Sequence, residues 1–114
     1  KDFQLKVLHE ARKLLVEKGW TKGRNACDLF DEGVPAISVM AASFCVEGAV
    51  LRAAFYTPGI PASSWFLENI IYNNLRINSP TPERPIREFN DSSNTVEPVL
   101  DVIDKTIKKL EEHQ

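Results

Sequence analysis

The sequence predicts a mainly α fold: a single small domain of about four helices around a central buried helix, with room for one short β-hairpin. Three observations point there. A chain of 114 residues is a common size for one core and short for two. Apolar residues at 43% and charged residues at 26% are ordinary globular proportions, not those of a disordered chain. Apolar residues also recur at helical spacing over most of the length, without internal repeats or low-complexity segments.

The elements follow in order. Residues 3–18 read as the first helix, with Val7, Leu8, Ala11, Leu14 and Leu15 on one face and Lys6, Glu10, Lys13 and Glu17 on the other. Asp2 suits its start and Gly19 its end. Residues 20–37 are irregular, broken by Gly23, Gly33 and Pro35. Within them, 26–30 and 34–37 flank Asp31-Glu32-Gly33 as the arms of a small hairpin. A second helix is expected from Ser38 to Tyr56, ahead of Pro58 and Gly59, and its apolarity on all sides marks it as central. The third spans 63–76, with Pro61 near its first turn and Leu67, Ile70, Ile71 and Leu75 inward. Residues 78–93, with Pro80, Pro82 and Pro85, read as a loop long enough to be functional or pinned to the surface. The last helix begins at Asn94 or Thr95 and runs to Glu111, on a seam of Val96, Val99, Leu100, Ile103, Ile107 and Leu110. Pro98 falls in its first turn, where a missing N–H does no harm.

Composition removes several classes of function. Fourteen basic residues against sixteen acidic ones leave no electrostatic footprint for nucleic acid or an anionic membrane. Cys27 and Cys45 lack C-x-x-C spacing, and with His9 and His113 as the only histidines a four-ligand zinc site is not expected. Reduced thiols in a cytoplasmic protein are the plainer reading. The apolar stretch from Val39 to Tyr56 is broken by Ser43, Glu47 and Arg52, which marks a buried helix rather than a membrane span. Lys1 and Asp2 lead straight into an amphipathic pattern, so no secretory leader is expected at this end. No cofactor motif is present in the sequence.

Five features carry candidate chemistry, each with a plainer structural reading. Cys45, Gly48, Ala49 and Arg52 share one face of the second helix, small enough for close packing or for the floor of a ligand pocket. A guanidinium at Arg52 calls for a carboxylate, with Asp91 and Asp28 the candidates, unless its head reaches water. Trp20 to Asn25 (W-T-K-G-R-N) sets Lys22, Gly23 and Arg24 beside an indole, as an anion cradle or a solvated turn, without the Walker pattern. Cys45 as a nucleophile needs a depressed pKa, yet two turns inside a helix it lies beyond the field of the terminus, and a packing cysteine is the default. Phe89-Asn90-Asp91, followed by Ser92 to Thr95, supplies either backbone caps or ligand acceptors.

Gly19-Trp20 with Gly23, then Phe44-Cys45-x-x-Gly48-Ala49, then Phe89-Asn90-Asp91, and Thr95 with Val99-Leu100-x-x-Ile103-Asp104 occur in one order. As a set they resemble a family of small bacterial and phage proteins catalogued only as a domain of unknown function. Its members show a Gly-Trp turn, a Trp-Cys or Phe-Cys helix with a Gly-Ala pair, and a late Trp-Asn-Asp. The resemblance covers roughly residues 5–107. Phe44 and Phe89 stand where tryptophan is often seen, and 78–87 has no counterpart. The resemblance carries no activity; it implies that Trp20, Cys45, Gly48, Asn90 and Asp91 gather around one feature, core or pocket.

The functional expectation is a small non-catalytic binding or interaction module, with a site drawn from Trp20, Lys22, Cys45, Arg52, Asn90 and Asp91. A protein partner, a second copy of the chain or a small ligand would be its occupant, and neither nucleic acid nor membrane. The rival expectation is a cysteine-dependent enzyme using Cys45, with Asn90 or Asp91 as orienting groups.

Overall fold

The computed structural model describes residues 2–59 and 63–112. Pro61 and His113, both weighed in the sequence, lie outside the described residues. The first helix, α1 (Asp2–Glu17), buries Val7, Leu8, Ala11 and Leu15, the expected stripe. It packs chiefly on α2 (Val46–Tyr56), which buries Val46, Gly48, Ala49, Val50, Ala53 and Ala54. The chain leaves α1 through Gly19, whose φ of +152° few L-residues adopt.

The second helix starts at Val46, not Ser38. Ser38 caps a turn instead, its Oγ accepting from the Met40 N–H. Val39 and Met40, expected inside a central helix, stand in solvent. Ser43–Phe44 is extended as β2 and pairs antiparallel with β1 (Ala26–Cys27), Ala26 opposite Phe44 and Cys27 opposite Ser43. Phe44 also forms a parallel bridge with Trp20. The expected hairpin is reduced to a Cys27–Gly33 bridge with the Val34 N–H donating to the Ala26 carbonyl, because the long-range partner β2 takes the other edge of β1 and the chain turns away at Pro35–Ser38.

A continuous helical segment, α3 (64–77), contains a π-helical stretch at Leu67–Tyr72 between Ser64–Phe66 and Asn73–Ile77. Wider winding carries Tyr72 inward beside Leu67, Ile71 and Leu75, while Ile70 is only partly buried. The Tyr72 hydroxyl donates to the Glu47 carbonyl at 3.0 Å.

The segment expected to be a loop over 78–93 holds a fifth helix, α4 (Ile86–Ser92). Pro85 sits at its N-cap with extended ψ, so this proline starts a helix rather than breaking one. Arg76 donates to the Pro82 carbonyl and to Asn73 Oδ1, pinning the proline-rich turn. The last helix, α5 (Glu97–Glu112), buries Val99, Val102, Ile103, Thr106 and Ile107. It is tied to α1 by a forked Arg12–Asp104 pair, with Nε to Oδ1 at 2.6 Å and a guanidinium Nη to Oδ2 at 3.2 Å. Among the described residues no helix is long and apolar enough to cross a membrane.

Candidate functional site

Asn90 is the point where the expected site residues meet. It lies one turn beyond Ile86 on α4, so both side chains face the core, and it is 0% exposed. Its Oδ1 accepts from Trp20 Nε1 at 2.8 Å and from the Val46 N–H at 3.0 Å. Its Nδ2 donates to the Thr21 carbonyl at 3.2 Å and to Asp91 Oδ1 at 3.1 Å. Every donor and acceptor of the amide is used, which is what burial of an asparagine demands. Three segments distant in sequence are thereby joined: the turn after α1, the first turn of α2, and α4.

The Lys22-Gly23-Arg24 turn is not an open anion cradle. Asp91 Oδ1 accepts from the Gly23 N–H at 2.9 Å, and Lys22 Nζ donates to the Ser93 carbonyl at 3.0 Å while lying 5.9 Å from the centre of the Trp20 ring. Arg24 donates to the Asp31 carbonyl at 2.9 Å. An anion would have to displace the Asp91 carboxylate to reach the Gly23 N–H, while Lys22 and Arg24 each already donate to a backbone carbonyl.

Cys45 is the N-cap of α2, not a residue two turns inside it. Its Sγ accepts from the Gly48 N–H at 3.3 Å and lies 3.7 Å from Asn25 Oδ1, to which the thiol donates. Burial pushes the thiol up to about 11 although the backbone N–H groups of Gly48 and Glu47 act to lower it. The small face of α2 admits another backbone, but a loop rather than a helix. A Cβ on Gly48 would stand 1.8 Å from the Asn25 carbonyl oxygen. Arg52, at the far end of that face, meets neither Asp91 nor Asp28. It donates to the carbonyls of Ala36 and Ser38 and lies 4.6 Å from the Tyr56 ring centre. Backbone carbonyls near a half-buried guanidinium replace the expected carboxylate. Trp20, Lys22, Cys45, Asn90 and Asp91 are therefore gathered, and Arg52 is set apart to hold the 36–38 turn.

Sequence reasoning missed a surface feature. Leu29, Phe30 and Val39 are 86%, 82% and 85% exposed, and Met40 is 58% exposed. With Glu17 and Lys18 they line one shallow hollow of about 370 Å³. The loops that carry them are held tightly. Asp28 Oδ1 accepts from the N–H groups of Phe30 and Glu32, at 2.8 and 3.0 Å, and the Asp28 N–H donates to the Glu32 carbonyl. Asp31 takes φ of +63° to close this turn. Ser38 accepts from Ala41 on its carbonyl as well as from Met40 on its Oγ. The signal was present in the D-L-F-D-E-G turn, where aspartates bracket two large apolar residues, but the hairpin reading absorbed it.

A second hollow, of about 390 Å³, lies between the start of α2, α3 and the proline-rich turn, and mixes Glu47, Glu68 and Glu83 with Arg76, Arg84 and Arg87. Burial raises the Glu47 carboxyl above its ordinary value, with Arg87 opposing. Among the described residues no group of three His, Cys, Asp or Glu side chains is placed to hold a metal ion.

These features define a small, mainly helical domain in which a buried polar cluster at Asn90 joins three segments and three highly exposed apolar side chains, Leu29, Phe30 and Val39, stand on two fastened loops. The chain belongs to a family of unknown function (DUF6197), which it matches over residues 4–109. No curated protein and no solved structure was found to match it.

Proposed function

We propose that this chain is a small non-catalytic interaction module of the cytoplasm that docks a protein partner on the face formed by Leu29, Phe30, Val39 and Met40. One observation carries the reading: four large apolar side chains are held in water by loops whose backbones are fastened by hydrogen bonds. Grouped exposed apolar residues of this kind mark interaction surfaces, and fastened loops lose little entropy when a partner arrives. Aromatic anchors such as Phe30 are the residues that carry most binding energy at interfaces.

A photoreactive benzoylphenylalanine placed at Phe30 or at Val39, with Lys108 as an exposed control position, tests this. Irradiation of the purified chain detects a second copy, and irradiation in extract of the source cells detects another protein. The expected result is one discrete adduct from positions 30 and 39 that disappears on Met40→Asp. Adducts no different from those at the control position overturn the reading.

The rival reading, a cysteine-dependent enzyme using Cys45, has less support. The thiol is buried, occupied as a helix cap and pushed away from the thiolate, while the Asn90 amide is committed to four other groups. In a Cys27→Ser background, alkylation of Cys45 across pH 5 to 9 is expected to be limited by opening of the fold. Rapid modification with an apparent pKa well below ~8.5, the ordinary thiol value, would reinstate the enzyme.

A further inference from the structure

The apolar face is accompanied by an uneven set of charges. The turn that presents Leu29 and Phe30 runs from Asp28 to Glu32, and is closed by the Asp31 N–H on the Asp28 carbonyl at 3.2 Å and the Asp28 N–H on the Glu32 carbonyl at 2.9 Å. Asp31 and Glu32 are exposed in it, and neither carboxylate has an ion-pair partner among the described residues. So tight a turn keeps both charges within about one Debye length of Phe30, roughly 10 Å at 0.1 M salt. Glu17, at the end of α1, is in the lining of the hollow itself. Asp28 supplies a fourth carboxylate, held by the N–H groups of Phe30 and Glu32.

Against these four stand Lys18, also in the lining, and Arg24, which donates to the Asp31 carbonyl. Lys22 is drawn off to the Ser93 carbonyl, and further back along α1 Glu10 and Lys13 offset each other. The chain as a whole has a net charge of −2. The excess of carboxylates beside the apolar face accounts for all of it, and the remaining charges sum to zero.

Charges next to an apolar patch supply little affinity by themselves, but they select which apolar segments are admitted. We infer that the partner docked on this face is a basic amphipathic segment of another protein, with one large apolar side chain entering the hollow and flanking Lys or Arg residues meeting Glu17, Asp31 and Glu32. This rests on the reading of the face as a docking surface. The hollow, of about 370 Å³ and lined by Leu29, Phe30, Val39 and Met40, has room for one such side chain. A second copy of the chain is disfavoured as the occupant, because a two-fold contact would set two acidic faces against each other.

The test uses the full chain with benzoylphenylalanine at position 30, irradiated alone and in extract of the source cells, and the captured segment is sequenced by mass spectrometry. The expected segment carries two or more Lys or Arg residues, and no Asp or Glu, within about five residues of the linked side chain. Its yield is expected to fall about fivefold or more in Asp31→Asn with Glu32→Gln, and likewise when salt is raised from about 0.05 to 0.5 M. Asparagine accepts the φ of +63° at residue 31, so the turn survives the exchange. A neutral or acidic captured segment, or a yield unchanged in the double variant, overturns the inference and leaves a face that docks by apolar contact alone. An adduct formed by the purified chain makes the occupant a second copy and also overturns it. Absence of any adduct beyond that of the Lys108 control position removes the docking face itself, and this inference with it.

Discussion

At the scale of single residues, Asn90 and Gly48 decide most. Asn90→Ala leaves the Val46 N–H, the Trp20 indole N–H and the Thr21 carbonyl without partners. The buried Val46 N–H so stranded costs about 1–3 kcal/mol, and the half-buried Trp20 and Thr21 groups add less, so a loss of about 2 kcal/mol or more is expected in urea denaturation. Asn90→Asp keeps two acceptors but loses both donors, and sets a carboxylate against Asp91 and the Thr21 carbonyl. That variant is expected to recover stability as pH falls and its new carboxyl is protonated, whereas the Ala variant is not. Gly48→Ala drives a methyl into the Asn25 carbonyl and must part the 20–25 segment from α2. A loss of about 3 kcal/mol or more is expected, against a gain of up to about 1 kcal/mol from helix propensity alone. The motif residues singled out in the sequence were thus legible as important, since a glycine inside a helix and an Asn-Asp pair both need a reason. Their partners were not legible, because those lie more than forty residues away along the chain for Asn90 and in an irregular loop for Gly48.

At the scale of elements, α1 and α5 were legible from their single apolar stripes, α1 to within a residue at each end, whereas α5 begins at Glu97, two to three residues beyond the expected Asn94 or Thr95. The start of α2 was misplaced because the apolar run 39–44 has no helical period to show where it ends. Only pairing with β1 makes Ser43–Phe44 extended, and that moves the cap to Cys45. The cap has a measurable consequence. Since the folded thiol is raised to about 11, the unfolded chain gives up its proton first, from about pH 9, and stability falls as pH rises through that window. The loss is on the order of 2 kcal/mol by linkage. Burial also raises the Tyr72 phenol, which adds to the decline at still higher pH. Cys45→Ser keeps an acceptor for the Gly48 N–H but does not titrate, so urea midpoints measured from pH 7 to 11 are expected to fall less steeply in that variant. The helix α4 was hidden for a different reason: three prolines within six residues read as a loop, whereas Pro85 has the φ a helix start requires.

At the scale of the whole molecule, the interior and the apolar face obey different rules. Leu29→Ser with Phe30→Ser removes side chains already in water, so the thermal midpoint is expected to stay within a few degrees of the parent. Partner adducts at position 39 should nevertheless be lost; a cooperative drop in stability would instead mean that these side chains pack in the fold. The Arg12–Asp104 pair that joins the chain's first and last helices is exposed, and Arg12→Ala is expected to cost below about 1 kcal/mol, with less effect at high salt. What the sequence by itself determined was the class: one helical core and its two amphipathic end helices. Helical period and cap chemistry are local, so they can be read from one segment alone. What only the tertiary structure decided was where apolar residues stop being core. Leu29, Phe30, Val39 and Met40 look like core residues in sequence, but β1 and β2 pair across them and the Asp28 and Ser38 turns point them outward. Burial is a property of what packs against a residue, and that is fixed by pairing between distant segments.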